Sequence, residues 1–307
     1  MDPVDTAQAQ ADVDGYFAEP PRSITTISVC GLDVAASKTY RNLPLADYLA
    51  WPLWSQSSLK EAAKSALHAK AARDASVRPP TDAMVLGSAL HLAFLEPERA
   101  EGKVVVWLGK ARRGQAWWDF QVANHDKIIL TMDQYDRLNG MLGALRNNPL
   151  VQALTDTVEV EVAKIGDVCG LKMKGRADAL GVLSIPGIYD LKTVKSADPR
   201  KFLNAVIQFG YDVQAAVYCE LFERDNFTLI AVESDPPHDV VVFEMSKSML
   251  ASGRRKMLHC IEVVKQAEAT GEWPGRSSTP ITLEPPPWDV DTEPTVERCE
   301  PPEEVDP

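Results

Sequence analysis

Apolar positions along the chain change their period near residue 158. Upstream they recur at helical spacing. Ser57 or Ser58 can cap a helix through Leu59, Ala62, Ala63 and Leu67, because a serine oxygen can accept from the free N–H groups of a first turn. Met84, Leu86, Ala89, Leu90 and Phe94 predict a second helix over Asp82–Leu95. A short strand at Lys127–Leu130 precedes a third helix from about Asp133 to Arg146. From Val158 the period is two: Val158, Val160 and Val162 alternate with Glu159, Glu161 and Ala163, as in a strand with one buried face. Strands over Gly170–Leu180 and Gly187–Thr193 follow, folded back at Ser184-Ile185-Pro186-Gly187. Helices at about Pro199–Gln208 and Asp212–Glu223, strands at Phe227–Glu233 and Asp239–Glu244, and a helix from about Lys247 to Ala269 complete the pattern. Helix, three strands, helix, strand predicts an α/β fold around one central sheet.

The ends lack such periodicity. Residues 1–24 are polar and acidic, and 277–307 are rich in Pro and Glu. Neither can bury enough apolar surface to offset ordering entropy, so both are expected to be disordered around a domain of residues 25–276. Composition adds bounds. A chain of 307 residues, 45% hydrophobic and 25% charged, is an ordinary globular one with a sizeable core. No apolar run approaches the ~20 residues of a membrane span, and the acidic start is unlike a signal peptide, so a cytoplasmic protein is expected. Cys30, Cys169, Cys219, Cys260 and Cys299 are scattered with no CxxC pair. That argues against a disulfide framework, a zinc site or an iron–sulfur cluster.

The net charge of −12 is concentrated at the ends: residues 1–20 carry −5 and residues 280–307 carry −8, leaving +1 between them. Lys164–Lys201 holds eight basic residues against four acidic ones. The overall acidity therefore does not exclude a polyanionic ligand for the body of the chain. The acidic tail is a docking segment, a DNA mimic or an inert solubilising end.

Candidate chemistry lies in Lys174-Gly175-Arg176-Ala177-Asp178 and, further on, Tyr189-Asp190-Leu191-Lys192-Thr193. Alternate strand residues share a face, so Asp190 and Lys192 project together. The turn between the two segments can bring Asp178 beside Asp190. Converging carboxylates suit a hard divalent cation, and the Leu191 carbonyl is a further oxygen donor. A lysine there can orient or deprotonate water and offset phosphate charge. The plainer reading is a set of surface-strand ends in ordinary ion pairs, and Asp-x-Lys alone does not discriminate. Upstream, Gly87 and His91 lie four apart in a helix; downstream, Gln214 and Tyr218 do the same beside Val213, Val217 and Leu221. Lys60, Lys64, Arg112, Arg113, Lys172, Lys174 and Lys195 suit either a phosphate contact or, more commonly, a solvated surface, and Arg176, which flanks Asp178, is the foremost candidate for a phosphate. Trp117 and Trp118 suit either stacking on DNA ends or, more commonly, core packing.

Taken in order, Gly87…His91, Asp178, Asp190-Leu191-Lys192 and Gln214…Tyr218 resemble the RecB-like and RecE-like branch of the PD-(D/E)XK nucleases. Tyr40 through Ser57-Ser58-Leu59-Lys60…Ala63-Lys64-Ser65, and Gly87–Pro97, further resemble the RecE-like phage recombination exonucleases. One departure is Ala177, where the family often has Pro before the aspartate. The resemblance implies a restriction-endonuclease-like core, a central mixed β-sheet flanked by helices. It implies Mg²⁺, replaceable by Mn²⁺, bound by His91, Asp178, Asp190 and the Leu191 carbonyl, with Lys192, Asp178 and Asp190 catalytic. Gln214 and Tyr218 would position the DNA backbone or support the site, Arg176 would hold a phosphate, and Glu161, where the family often has a strand glutamate, is carried over as a substrate-binding residue. The implied activity degrades the 5′-ended strand of linear double-stranded DNA and leaves 3′ overhangs. A ring-shaped homo-oligomer and a single-strand annealing protein are the implied partners, in a bacterial or phage-infected cell. A nuclease of other polarity or single-strand preference and a non-catalytic DNA-binding protein are the rival readings. No GxxxxGK[ST] loop occurs, so no ATP-driven motor is expected.

Overall fold

The computed structural model describes residues 37–75, 79–155, 158–181 and 186–286. The expectations for residues 1–24 and for most of 277–307 fall outside these, as does part of the turn at 184–187.

In chain order, β1 (Lys38–Tyr40), α1 (Leu45–Ala50), β2 (Trp54–Ser55) and α2 (Gln56–Leu59) lead through a 3₁₀ turn (Lys60–Ala63) into α3 (Ala66–Asp74). The single helix expected here is therefore three pieces. Ser55, not Ser57 or Ser58, caps α2 by accepting from Ser58 N at 3.3 Å, and Ser65 caps α3 by accepting from His68 N at 3.3 Å. Serine side chains that bond nearby backbone compete with helix continuation, which breaks the run. Next come α4 (Asp82–Leu95), α5 (Pro97–Ala100), β3 (Val104–Trp107), α6 (Gln115–Ala123), β4 (Ile128–Thr131), α7 (Met132–Asn147) and α8 (Pro149–Thr155). The second half runs β5 (Val158–Val168), β6 (Leu171–Gly181), β7 (Ile188–Val194), α9 (Pro199–Phe209), α10 (Tyr211–Phe222), β8 (Phe227–Glu233), β9 (Val240–Glu244) and α11 (Lys247–Thr270).

The main sheet has the order β1-β5-β6-β7-β8-β9, with β2 paired to β6. Neighbours are antiparallel except β7 with β8 and β2 with β6, so the sheet is mixed. The β5–β6 hairpin turns on Cys169 and Gly170, both at positive φ (52° and 82°), as a tight two-residue hairpin loop requires. The parallel β7–β8 pair needs a crossover, supplied by α9 and α10. Apolar side chains cover both faces. Leu86, Leu90, Leu138 and Met141 of α4 and α7 pack with Tyr189 and Leu191 on one side. On the other, Phe202, Val213, Val217, Met257 and Ile261 of α9, α10 and α11 pack with Ile188 and Leu229. β3 and β4 form a separate parallel pair joined through α6.

Strand alternation fails at one place. Val158 and Val160 pack towards α4 and α7, but Val162 packs towards α10 and α11. On β6, Ala177 faces the second cluster and Ala179 the first. The register between the strands stays continuous from Val158↔Gly181 to Val168↔Leu171, with the Glu161–Asp178 pair alone missing. Both strands thus change phase at this pair, and the uniform alternation expected from Val158 to Val162 does not hold.

Two glycines set close approaches. A Cβ on Gly253 of α11 would lie 2.1 Å from the Asp212 carbonyl oxygen, and one on Gly175 would lie 2.6 Å from Leu221. Helix α10 is consequently buried almost all round, including Asp212, Gln214 and Tyr218. Lys174, expected at a phosphate or on a solvated surface, is instead buried, and its ammonium donates to the Tyr48, Leu49 and Trp51 carbonyls at 3.0, 3.0 and 2.8 Å. Burial pulls its pKa down to about 8. Among the described residues, no helix is long and apolar enough to cross a membrane.

Candidate active site

The site forms where β6 and β7 part. These strands pair only at Ala179↔Tyr189 and Leu180↔Ile188. In that register Asp178 and Asp190 come next, opposite each other at the fork. Asp178 Oδ2 accepts from the Leu191 N–H at 2.8 Å, so a carboxylate takes the place of a backbone partner.

Helix α4 delivers His91. Gly87, one turn earlier, packs beside β7, where an added Cβ would stand 3.8 Å from Thr193 Oγ1, an ordinary contact. His91 Nε2 then reaches the Leu191 carbonyl oxygen at 2.9 Å, and Nδ1 lies 3.4 Å from Asp178 Oδ2. Strand β5 delivers Glu161, whose backbone sits at φ 52°. A non-glycine residue in this left-handed region costs roughly 1–3 kcal/mol and persists where surrounding contacts impose it. Here the strain accompanies the phase change and turns the Glu161 carboxylate inward. Ligand atoms of His91, Glu161 and Asp178 all lie within 4.8 Å of one another.

The chemistry of this set fits a divalent cation. The Leu191 oxygen can only accept, so Nε2–H is its donor, and Nδ1 faces the Asp178 carboxylate. These two need a proton or a cation between them. Burial raises the Asp178 pKa, with Asp190 adding to the effect and His91 and Lys192 opposing it. Burial likewise raises that of Glu161, reinforced by Asp178 and opposed by Arg176. Buried carboxylates that resist ionisation gain most from a bound cation. Two carboxylates and one imidazole suit a divalent cation.

Behind this cluster lies a second tier. Asp190 is 2% exposed. Its Oδ1 accepts from Gln214 Nε2 at 2.6 Å, and its Oδ2 faces the Lys192 ammonium as an ion pair. Burial alone would lower the Lys192 pKa, but Asp190 and Asp178 reverse this and the net shift is upward. The Tyr211 ring sits 4.9 Å from the same ammonium. Tyr218 donates its hydroxyl to the Arg176 carbonyl at 3.0 Å, and the Arg176 guanidinium holds the Glu161 carboxylate.

The structure therefore groups His91, Asp178 and the Leu191 carbonyl, and it adds Glu161 where a substrate contact was expected. Asp190 stands beside the cluster, bonded to Gln214 and Lys192. Gln214 and Tyr218, expected to position the DNA backbone or support the site, bond to Asp190 and to the Arg176 carbonyl, and Arg176, expected at a phosphate, holds Glu161. Lys60 and Tyr211 gain importance from position. Lys60 donates to the Phe209 carbonyl at 2.9 Å, and burial lowers its pKa, with nearby Lys192 adding to the effect of burial. The signal for Tyr211 was its place directly after Gly210, whose left-handed backbone (φ 67°) ends α9 and starts α10. Glu161 had no local signal beyond its place as a polar residue in the valine alternation.

A mixed sheet forked around two aspartates, with a lysine on the second strand and a helical histidine above, defines a PD-(D/E)XK nuclease fold. The sequence matches the PDDEXK-like domain of unknown function (DUF3799) over residues 55–280, and the chain belongs to that family. Its fold is shared by a Eubacterium rectale protein named "Putative exonuclease", at 15% identity and a TM-score of 0.56, over 80% of this chain and 96% of that one. SSO0001 (18% identity, 60% and 87% of the two chains, TM-score 0.27) and VC1899 from Vibrio cholerae (11%, 76% and 58%, TM-score 0.21) are too distant to inform the site. A comparison with curated proteins finds no match.

Proposed function

We propose that the chain is a Mg²⁺-dependent exodeoxyribonuclease that degrades the 5′-ended strand of linear duplex DNA, Mn²⁺ being able to substitute. The observation that carries the metal-dependent chemistry is the meeting of His91, Glu161 and Asp178 beside the Asp190–Lys192 pair. A cation held by that set would activate water and offset charge on the scissile phosphate. Lys192, kept as an ammonium by Asp190, orients the water and stabilises the developing negative charge. Gln214 fixes the Asp190 carboxylate, Arg176 fixes Glu161, and Tyr218 ties β6 to α10, so each acidic group keeps its angle at the fork.

Strand polarity, a ring-shaped homo-oligomer enclosing the duplex, and a single-strand annealing partner rest on the resemblance to RecE-like exonucleases. So does a place in the cytoplasm of a bacterial or phage-infected cell. The Eubacterium rectale protein's name supports an exonuclease in the same sense. The test is Mg²⁺-dependent digestion of linear duplex DNA labelled separately at its 5′ and 3′ ends, with closed circles alongside. Early 5′ release from linear DNA alone is the expected result. Cutting of circles, or early 3′ release, overturns the polarity and end dependence.

A further inference from the structure

Helix α4 carries a second feature, on the turn before His91. A groove of about 890 Å³ opens between the first half of α4, contributing Val85 and Ser88, and α6 with the start of β4, contributing Trp117, Trp118 and Lys127. Ser88 precedes His91 by three residues, which is ~4.5 Å along a helix axis. The groove and the metal cluster are therefore neighbours on one element. Its volume lies within the ~300–1,000 Å³ of sites for small organic ligands, the scale of a nucleotide.

The two tryptophans differ. Trp117 is 9% exposed and packs edge-on against Trp107 with centroids 5.3 Å apart. Trp118 is 40% exposed and has no ring partner among the described residues. The surrounding segment, residues 103–127, holds five Lys or Arg (Lys103, Lys110, Arg112, Arg113, Lys127) against Asp119 and Asp126, in a chain of net charge −12. Lys103 pairs with Asp126, and Arg112 pairs with Asp82 of α4. Lys110, Arg113 and Lys127 have no carboxylate partner among the described residues, and the Lys127 ammonium donates to the Asn124 side-chain oxygen at 3.1 Å. An open indole in a groove that Lys127, without a carboxylate partner among the described residues, and Arg112 also line complements a strand that presents bases and phosphates together. Paired bases inside a duplex cannot present their faces to Trp118.

We propose that this groove, beside the active site, binds unpaired nucleotides of a DNA strand, a base stacking on Trp118 and a phosphate meeting Lys127. The assignment rests on the nuclease reading and names the part of the substrate that the site must hold single-stranded. It is tested in the full chain carrying Lys192→Ala, so that bound DNA stays intact. Fluorescence anisotropy compares this parent with its Trp118→Ala and Lys127→Glu derivatives, on an oligothymidylate of about 16 nucleotides and a blunt duplex of equal length. Trp118 is open enough that its loss leaves the fold standing. The expected result is single-strand binding weakened about five-fold or more by Trp118→Ala, with a smaller effect on the duplex. Lys127→Glu should weaken it as well and flatten its salt dependence by roughly one ion. If both derivatives bind single strands as the parent does, the groove assignment is overturned, and Mg²⁺-dependent digestion by the wild type then shows that the nuclease reading survives. A parent that binds neither DNA, with a wild type that digests neither, overturns both. Single-strand binding that needs Trp118 in a chain that cuts nothing keeps the groove and overturns the nuclease reading.

Discussion

At the scale of residues, the site depends on groups held in states they do not favour alone. Glu161 adopts a left-handed backbone within a strand, and its buried carboxyl lies beside that of Asp178. Glu161→Gln keeps the shape and removes one anionic ligand. Since altering groups that only orient metal ligands costs ~10–100-fold in affinity, Mn²⁺ binding measured by titration calorimetry should weaken at least about ten-fold. Unchanged affinity would place Glu161 outside the metal set. Folding raises the pKa values of both Glu161 and Asp178. The folded chain then holds protons that the unfolded chain releases, so without metal these groups favour the fold below the ordinary carboxylate range and lose that contribution as pH rises towards the raised values. A divalent cation displaces the same protons. The rise in Tm produced by Mn²⁺ should accordingly grow from about pH 5 to about pH 8; a rise independent of pH would contradict the coupling. Of these residues, Asp190 and Lys192 were legible as sharing a strand face, whereas His91 and Asp178 were picked out as metal ligands by the resemblance to RecB-like and RecE-like nucleases. Glu161 was legible only as a strand glutamate, because its inward turn arises from a backbone state that no neighbouring residue announces.

At the scale of elements, the long segments with a steady period were legible and the short ones were not. Helix α4 matches its expected span, Asp82–Leu95, and β7 and α11 agree within a residue or so at each end. By contrast β1 and β2 have three and two residues, too few for any period, and depend on pairing with β5 and β6. Helix α6 carries Trp117 and Trp118 but exposes much of its surface, so no apolar stripe marks it. The phase change at Glu161–Asp178 imitates alternation, since valines occupy positions that face opposite sides. The packing of α10 against α11 also depends on something a hydrophobic pattern does not show, the missing side chain at Gly253. Adding one methyl there meets the backbone of Asp212, two residues from the glutamine that holds Asp190. Gly253→Ala should destabilise the fold by about 1–3 kcal/mol, the cost of overpacking, as measured by urea denaturation. Wild-type stability in that variant would mean that α11 stands further from α10 than the structure has it.

At the scale of the molecule, a sheet is used twice: its two faces bury the core, and its fork holds the chemistry. Strands β5, β6 and β7 each bring one acidic residue, α4 brings an imidazole, and α10 braces the arrangement from the opposite face. The mixed α/β class was legible from the order of elements, because the change from helical to strand period falls where the central hairpin begins. Net charge was the less reliable guide, since the acidity lies mostly at the two ends of the sequence. The central claim is that this fork hydrolyses phosphodiesters with a divalent cation. The direct measurement is Mn²⁺- and Mg²⁺-dependent release of nucleotides from linear duplex DNA by the wild type, Asp178→Asn and Lys192→Ala, with Mn²⁺ binding followed in parallel. The account predicts cleavage by the wild type that chelation abolishes, and loss of metal binding and cleavage together in Asp178→Asn. In Lys192→Ala, cleavage should fall by about 10²–10⁴-fold with metal still bound. Full cleavage in either variant, or none in the wild type with both metals, would contradict it.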